Sequence, residues 1–212
     1  MNVNFSLCGS LTWKCHRPKK QRERDRDTLD VQEMIVDLFT LLNDPYVEYD
    51  CIKNHFLNKV IQATRSEYGF LAAVKNCNGQ SCVHPIAMSN VAWNEMSLKF
   101  YADHQKTMEH ICMDHPESYI NQCIYLKQPI IENQYTKKDR NICPAGHPPI
   151  KRTLCIPMVI RRRVIAILCM CNAKEKYTQR TVDLCQYFIQ FYCVQNLMHY
   201  KVFVDDAVVP TL

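Results

Sequence analysis

A chain of 212 residues, 47% hydrophobic and 22% charged, has the composition of one folded domain with tails and excludes a wholly disordered polypeptide. Its net charge of +5 is mild and is concentrated in Lys14, Arg17, Lys19, Lys20, Arg22, Arg24 and Arg26, so nucleic acid is not an expected partner. No secretory pattern opens the chain and its longest apolar run, Val164 to Cys171, is too short to span a bilayer. A protein with no membrane partner is therefore expected in the cytoplasm, the nucleus being equally compatible.

Residues 1–27 lack a periodic apolar face and read as a flexible basic arm, residues 28–199 as the domain and residues 200–212 as a C-terminal tail. Asp30 and Glu33 have the spacing of a capping box. Val31, Met34, Ile35, Leu38, Leu41 and Leu42 then recur at helical spacing until Asn43-Asp44-Pro45. A second helix is expected from Cys51 to Ser66, with Ile52, Phe56, Val60 and Ala63 on one face and Gly69 just past its end. Phe70 to Val74 reads as a buried strand, with Asn76 to Gly79 turning into a partner at Ser81 to Met88.

The stretch from Ala92 to His115 reads as mainly helical, Ser118 to Leu126 as a short helix and Pro129 to Glu132 as a short strand. An irregular loop from Asn133 to Lys151 leads into two strong strands, Leu154 to Ile160 and Val164 to Cys171, separated by Arg161-Arg162-Arg163. Thr178 can cap a closing helix whose Val182, Cys185, Ile189, Tyr192 and Asn196 share a face. This order gives an α+β fold with a mainly antiparallel sheet.

Four stretches resemble the GAF family, in the form fused to bacterial sensor kinases and cyclic-dinucleotide signalling proteins. They are Ala63 to Phe70, Met88 to Glu95, Gln128 to Asn133, and Pro144 to Ile150 leading into Leu154-Cys155-Ile156-Pro157; Asn172 and Tyr177-Thr178 add to them. The resemblance implies a central antiparallel sheet flanked by helices, with the N- and C-terminal helices packed together and available for a homodimer. It also implies a ligand pocket, for which Trp93, Tyr119, Ile131, Cys143, His147 and Met158 are candidate lining residues. One departure is plain: the family favours glycine in the last hairpin and its second strand, where this chain has Arg161-Arg162, Ala166 and Cys169, implying an altered turn or a shifted contact.

His147 follows Gly146 and precedes two prolines, and it can either meet a ligand or pin its loop to a backbone carbonyl, the second being favoured. His104, His110, Cys112 and His115 are four possible metal ligands close in sequence, but their spacing matches no zinc motif and no metal site is expected. Thirteen cysteines, an odd number, read mostly as reduced core thiols. Cys143, near Lys137, Lys138, Arg140 and His147, is the best candidate for a reactive one. The family includes the free methionine-R-sulfoxide reductases, in whose likeness Cys143 and Cys123 would be the catalytic pair.

The expected function is a non-catalytic sensor or regulatory module that binds a small molecule or a partner signalling protein. A thiol redox enzyme and a scaffold with a collapsed pocket are the alternatives. No cofactor is named by the sequence.

Overall fold

The computed structural model describes residues 19–77, 80–107, 111–112, 117–136, 143 and 146–199. Five helices and six strands follow in the order α1 (Lys19–Leu42), α2 (Tyr49–Thr64), β1 (Tyr68–Cys77), β2 (Gln80–Met88), α3 (Glu95–Thr107), β3 (Ile111–Cys112), α4 (Tyr119–Leu126), β4 (Ile130–Glu132), β5 (Thr153–Ile160), β6 (Arg163–Cys171) and α5 (Gln179–His199). The strands form one antiparallel sheet of order β3-β2-β1-β6-β5-β4. This is the expected α+β architecture. Among the described residues no helix is long and apolar enough to cross a membrane.

The sheet is buried on both faces. One carries the main core, where Leu38 of α1, Phe56, Leu57 and Val60 of α2, and Val182, Cys185, Phe188, Ile189 and Tyr192 of α5 pack on Leu71, Leu154, Ile156, Met158, Leu168 and Met170. The Phe56 ring stacks on Tyr192 at 4.4 Å and meets Phe188 edge-on at 6.4 Å. Each such pair adds about 1 kcal/mol to what burial alone supplies. Tyr49 and Tyr192 bring their hydroxyls within 3.0 Å. α1 packs on α2 and α2 on α5, so the terminal helices join one core through α2. The opposite face carries a smaller cluster in which Cys123 of α4 packs on Ala72, Val83, Cys155, Ile167 and Cys169.

Three local expectations are corrected. α1 starts at Lys19, not at the Asp30 box, because Lys, Arg, Glu and Gln are good helix formers and continue a helix without an apolar stripe. The arm from Lys19 onward is thus part of α1, while residues 1–18 lie outside the described residues. α2 ends at Thr64 with Arg65 as its left-handed cap at φ 52°. Gly69 lies inside β1, where a Cβ would come within 2.6 Å of the Cys169 carbonyl oxygen and against Met170; close strand approach accounts for that glycine.

Among the described residues the stretch from Ala92 to His115, read as mainly helical, holds α3 and then the edge strand Ile111–Cys112, which pairs with Val83 and Cys82. The last hairpin keeps its tight turn without glycine: Arg161 and Arg162 take positive φ values of 48° and 66°. Residues 200–212 lie outside the described residues.

Candidate functional site

The site lies at the sheet end where β1 starts and β6 finishes, and local capping fixes its walls. Asn94 and Ser97 cap α3 reciprocally, Ser97 N donating to Asn94 Oδ1 at 2.9 Å and Asn94 N to Ser97 Oγ at 3.0 Å; Trp93 N also donates to Ser97 Oγ at 3.0 Å. Ser89 Oγ bonds both the N–H and the carbonyl of Gly69. Gly146, at φ +83°, lies so close to α3 that a Cβ would be 2.9 Å from the Met96 carbonyl oxygen, which fixes the following loop against that helix.

Asn172 latches the loop to the sheet. From a left-handed backbone at φ 57° it accepts from Lys151 N at 2.7 Å and donates to Pro149 O at 2.9 Å and to Glu67 Oε2 at 2.8 Å. The buried Tyr68 hydroxyl donates to Pro148 O at 3.3 Å. His147 sits between two rings, 6.1 Å from Tyr68 and 5.3 Å from Phe100, and its Nδ1 donates to Pro148 O at 2.7 Å. That carbonyl belongs to the next residue, so the bond orients the ring within its own loop.

Four of the six candidate lining residues meet through two tyrosines. Trp93, 47% exposed, is edge-on to Tyr68 at 5.4 Å, and His147 shares that ring. Tyr119 is 5.4 Å from Tyr135, and Cys143 is hydrogen-bonded to the Tyr135 hydroxyl. Tyr119 donates to Glu132 Oε2 at 3.4 Å, while Gln134 N holds the other carboxylate oxygen at 2.6 Å. Ile131 and Met158 are not brought to this cluster: both side chains join the helix-covered core on the other face of the sheet. Tyr68, Phe100, Tyr135, Cys171 and Glu132 complete the shelf. Of these, Tyr68 and Glu132 stood within resembling stretches, whereas Phe100, Tyr135 and Cys171 carried no motif.

Two groups of thiols lie near the site. Cys143 and Cys171 border Tyr68 and Tyr135, whereas Cys123 of α4 packs with Cys155 and Cys169, whose sulfurs are 3.3 Å apart. Burial pushes Cys171 up to about 12, partly offset by hydrogen bonds from Thr153 and Tyr68. Burial likewise raises Cys123 and Cys169, with the neighbouring Cys155 adding to each, and it raises the Tyr68 and Tyr135 phenols. Of the two cysteines of the enzyme alternative, Cys123 is thus fully buried in one apolar cluster and Cys143 borders another. Lys137, Lys138 and Arg140 lie outside the described residues, as do His110 and His115, and Cys112 belongs to a strand and not to a helix shared with His104. Among the described residues no three His, Cys, Asp or Glu side chains are grouped to hold a metal ion.

Residues 53–190 match the family model of the GAF domain. The chain belongs to the GAF domain family. No curated protein matches it. Solved structures similar to this GAF domain include the GAF domain of an Acinetobacter phosphoenolpyruvate-protein phosphotransferase, at TM-score 0.60 and 11% identity over 88% of this chain and 98% of that one. Another is the free methionine-R-sulfoxide reductase of Neisseria meningitidis in complex with its substrate, at TM-score 0.55 and 8% identity over 80% and 89%. A methyl-accepting chemotaxis protein segment gives 0.54 and 12% over 79% and 99%. At these identities the likeness is one of fold alone.

Proposed function

We propose that this GAF domain is a non-catalytic regulatory module that receives a small molecule, or a partner signalling protein, on the shelf formed by Tyr68, Trp93, Phe100, Tyr119, Tyr135, Cys143 and His147. The observation that carries this reading is the latched aromatic cluster around Tyr68 and Tyr135, with Trp93 half-exposed at its edge. Rings with one exposed flank offer stacking and apolar area, and the Glu132 carboxylate adds one polar anchor. Sensing of the sensor-kinase kind and a homodimer through the terminal helices belong to the same reading; Val36 and Phe39 on α1 and Tyr187 on α5 are exposed apolar side chains.

The thiol chemistry argues against turnover. A dithiol reductase needs an attacking thiolate and a resolving thiol within reach, whereas Cys123 is buried and held protonated. Native mass spectrometry of freshly purified full-length chain tests the proposal, the expected result being a retained small molecule that is lost in Trp93→Ala. The paired assay is reduction of free methionine-R-sulfoxide with a dithiol reductant. Turnover that vanishes in Cys143→Ser would replace the regulatory reading with the enzyme, and a bare protein that binds nothing would favour the collapsed scaffold.

A further inference from the structure

The β5–β6 hairpin ends in a feature that the aromatic shelf does not use. Ile160 pairs with Arg163, leaving Arg161 and Arg162 as a two-residue connection with positive φ at both positions. Asn-Gly or Gly-Gly suits such a turn, because a Cβ is unfavourable in the left-handed region. Two arginines are a poor local choice, so backbone preference does not account for them. Backbone strain of this kind points to a role for the side chains that carry it.

The tip also stands clear of the sheet. β4 pairs with β5 only as far as Cys155, and β1 with β6 only as far as Ala166, so the ribbon beyond them has no flanking strand among the described residues. Arg161, Arg162 and Arg163 are all exposed, as is Val159 beside them. The ion pairs Lys53–Asp50 and Lys59–Asp37 lie elsewhere, on α1 and α2. Tyr68, at the shelf, pairs with Cys171 at the far end of β6. With a rise of about 3.3 Å per residue, the tip is roughly 25 Å from the shelf along that strand.

We propose that this arginine tip is a second recognition surface, which docks into a carboxylate-lined groove on a partner protein. All three cations are arginines, whose planar fork binds a carboxylate in two parallel hydrogen bonds, whereas a lysine offers a point charge. A rigid two-residue turn makes a narrow convex point, and the exposed Val159 gives the contact an apolar centre behind the charges, as protein interfaces have. The fork also fits phosphate, but a bilayer or a nucleic-acid duplex asks for a broader field of charge than one two-residue turn presents.

The test uses the full-length chain and a fluorescent peptide of alternating Glu and Leu, with a Gln and Leu peptide of equal length, phosphatidylserine-rich vesicles and duplex DNA as competitors. The double variant Arg161→Asn, Arg162→Gly keeps the turn while removing two of the cations. The expected result is anisotropy-detected binding of the acidic peptide alone. Affinity should fall roughly tenfold or more in the double variant, a loss of about 1.4 kcal/mol. A triple Arg→Lys variant should also bind less well, and the melting temperature of the double variant should be unchanged or raised. Equal affinity of wild type and double variant, a preference for vesicles or DNA, or full affinity in the lysine variant would each overturn the proposal. So would a double variant less stable than wild type, since the arginines would then be holding the fold. Loss of the shelf ligand in Trp93→Ala leaves this binding unaffected, so the two proposals fail separately.

Discussion

Asn133 and Tyr177 close a reciprocal pair: Asn133 Oδ1 accepts from Tyr177 N at 2.8 Å and Asn133 Nδ2 donates to Tyr177 O at 3.1 Å. One amide side chain thus satisfies both backbone groups of a residue before α5 and ties it to the end of β4. The Tyr177 hydroxyl in turn bonds Ser66 Oγ at 2.9 Å and Ala173 N at 3.2 Å, joining the start of α5 to the exit of α2. Asn133→Ala leaves the part-buried N–H and carbonyl of Tyr177 without those partners. The expected loss is about 2 kcal/mol, read as a lower urea midpoint with an unchanged slope. Loss below about 0.5 kcal/mol would mean that solvent replaces the amide.

Arg162→Gly alone relieves one left-handed backbone at φ 66°. Stability should rise by up to about 1 kcal/mol, because the strain removed outweighs the extra freedom of glycine in the unfolded chain. Calorimetry gives the sign, and a lower melting temperature would show that the arginine side chain supports the hairpin.

Cys171 and Cys185 are each held up to about 12 by burial, against an ordinary thiol value of about 8.5 in the unfolded chain. Between these values the unfolded state has released protons that the folded state retains. Stability is thus unaffected below the unfolded value and falls as pH rises above it, by as much as about 1.4 kcal/mol per pH unit for each such thiol. Urea midpoints from pH 7 to pH 10.5 should be level and then descend, and Cys185→Ala should shallow the descent. A level profile throughout would show these thiols to be solvated.

Phe39, at 51% exposed, and Val36 are the outward residues of α1 by which the proposed homodimer is to be tested. Leu38 is unsuitable as a probe, since it is buried in the main core and a charge there would unfold the domain. Phe39→Glu is expected to turn a dimer into a monomer in light scattering without lowering the melting temperature. An unchanged mass, whether monomer or dimer in both proteins, would remove the terminal helices from the proposal.

What local periodicity encodes was legible in the sequence. The apolar spacing of α2 and α5, the apolar runs and length of β5 and β6, and the short helix after Ser118 all depend on neighbours a few residues away. The resembling stretches around Glu67, Asn133, Pro149 and Asn172 were visible as letters, and the structure gives each a hydrogen bond that fastens a site wall.

Which side chains face the site was decided only by tertiary structure. β5 is buried on both faces from Thr153 to Met158, so its sequence has no polar alternation to tell one face from the other. Ile131 and Met158 were placed at the pocket by the family resemblance, although both side chains join the core beneath the helices. Cys123 and Cys143 were paired by likeness to the free methionine-R-sulfoxide reductases, whereas packing buries Cys123 on the inner face of α4 and leaves Cys143 against Tyr135. Tyr68 and Tyr135, the two rings on which the shelf is built, acquire their partners only when the Gly146 loop closes on α3 and Asn172 latches it. Those contacts join segments far apart in sequence, and no local pattern of residues encodes them.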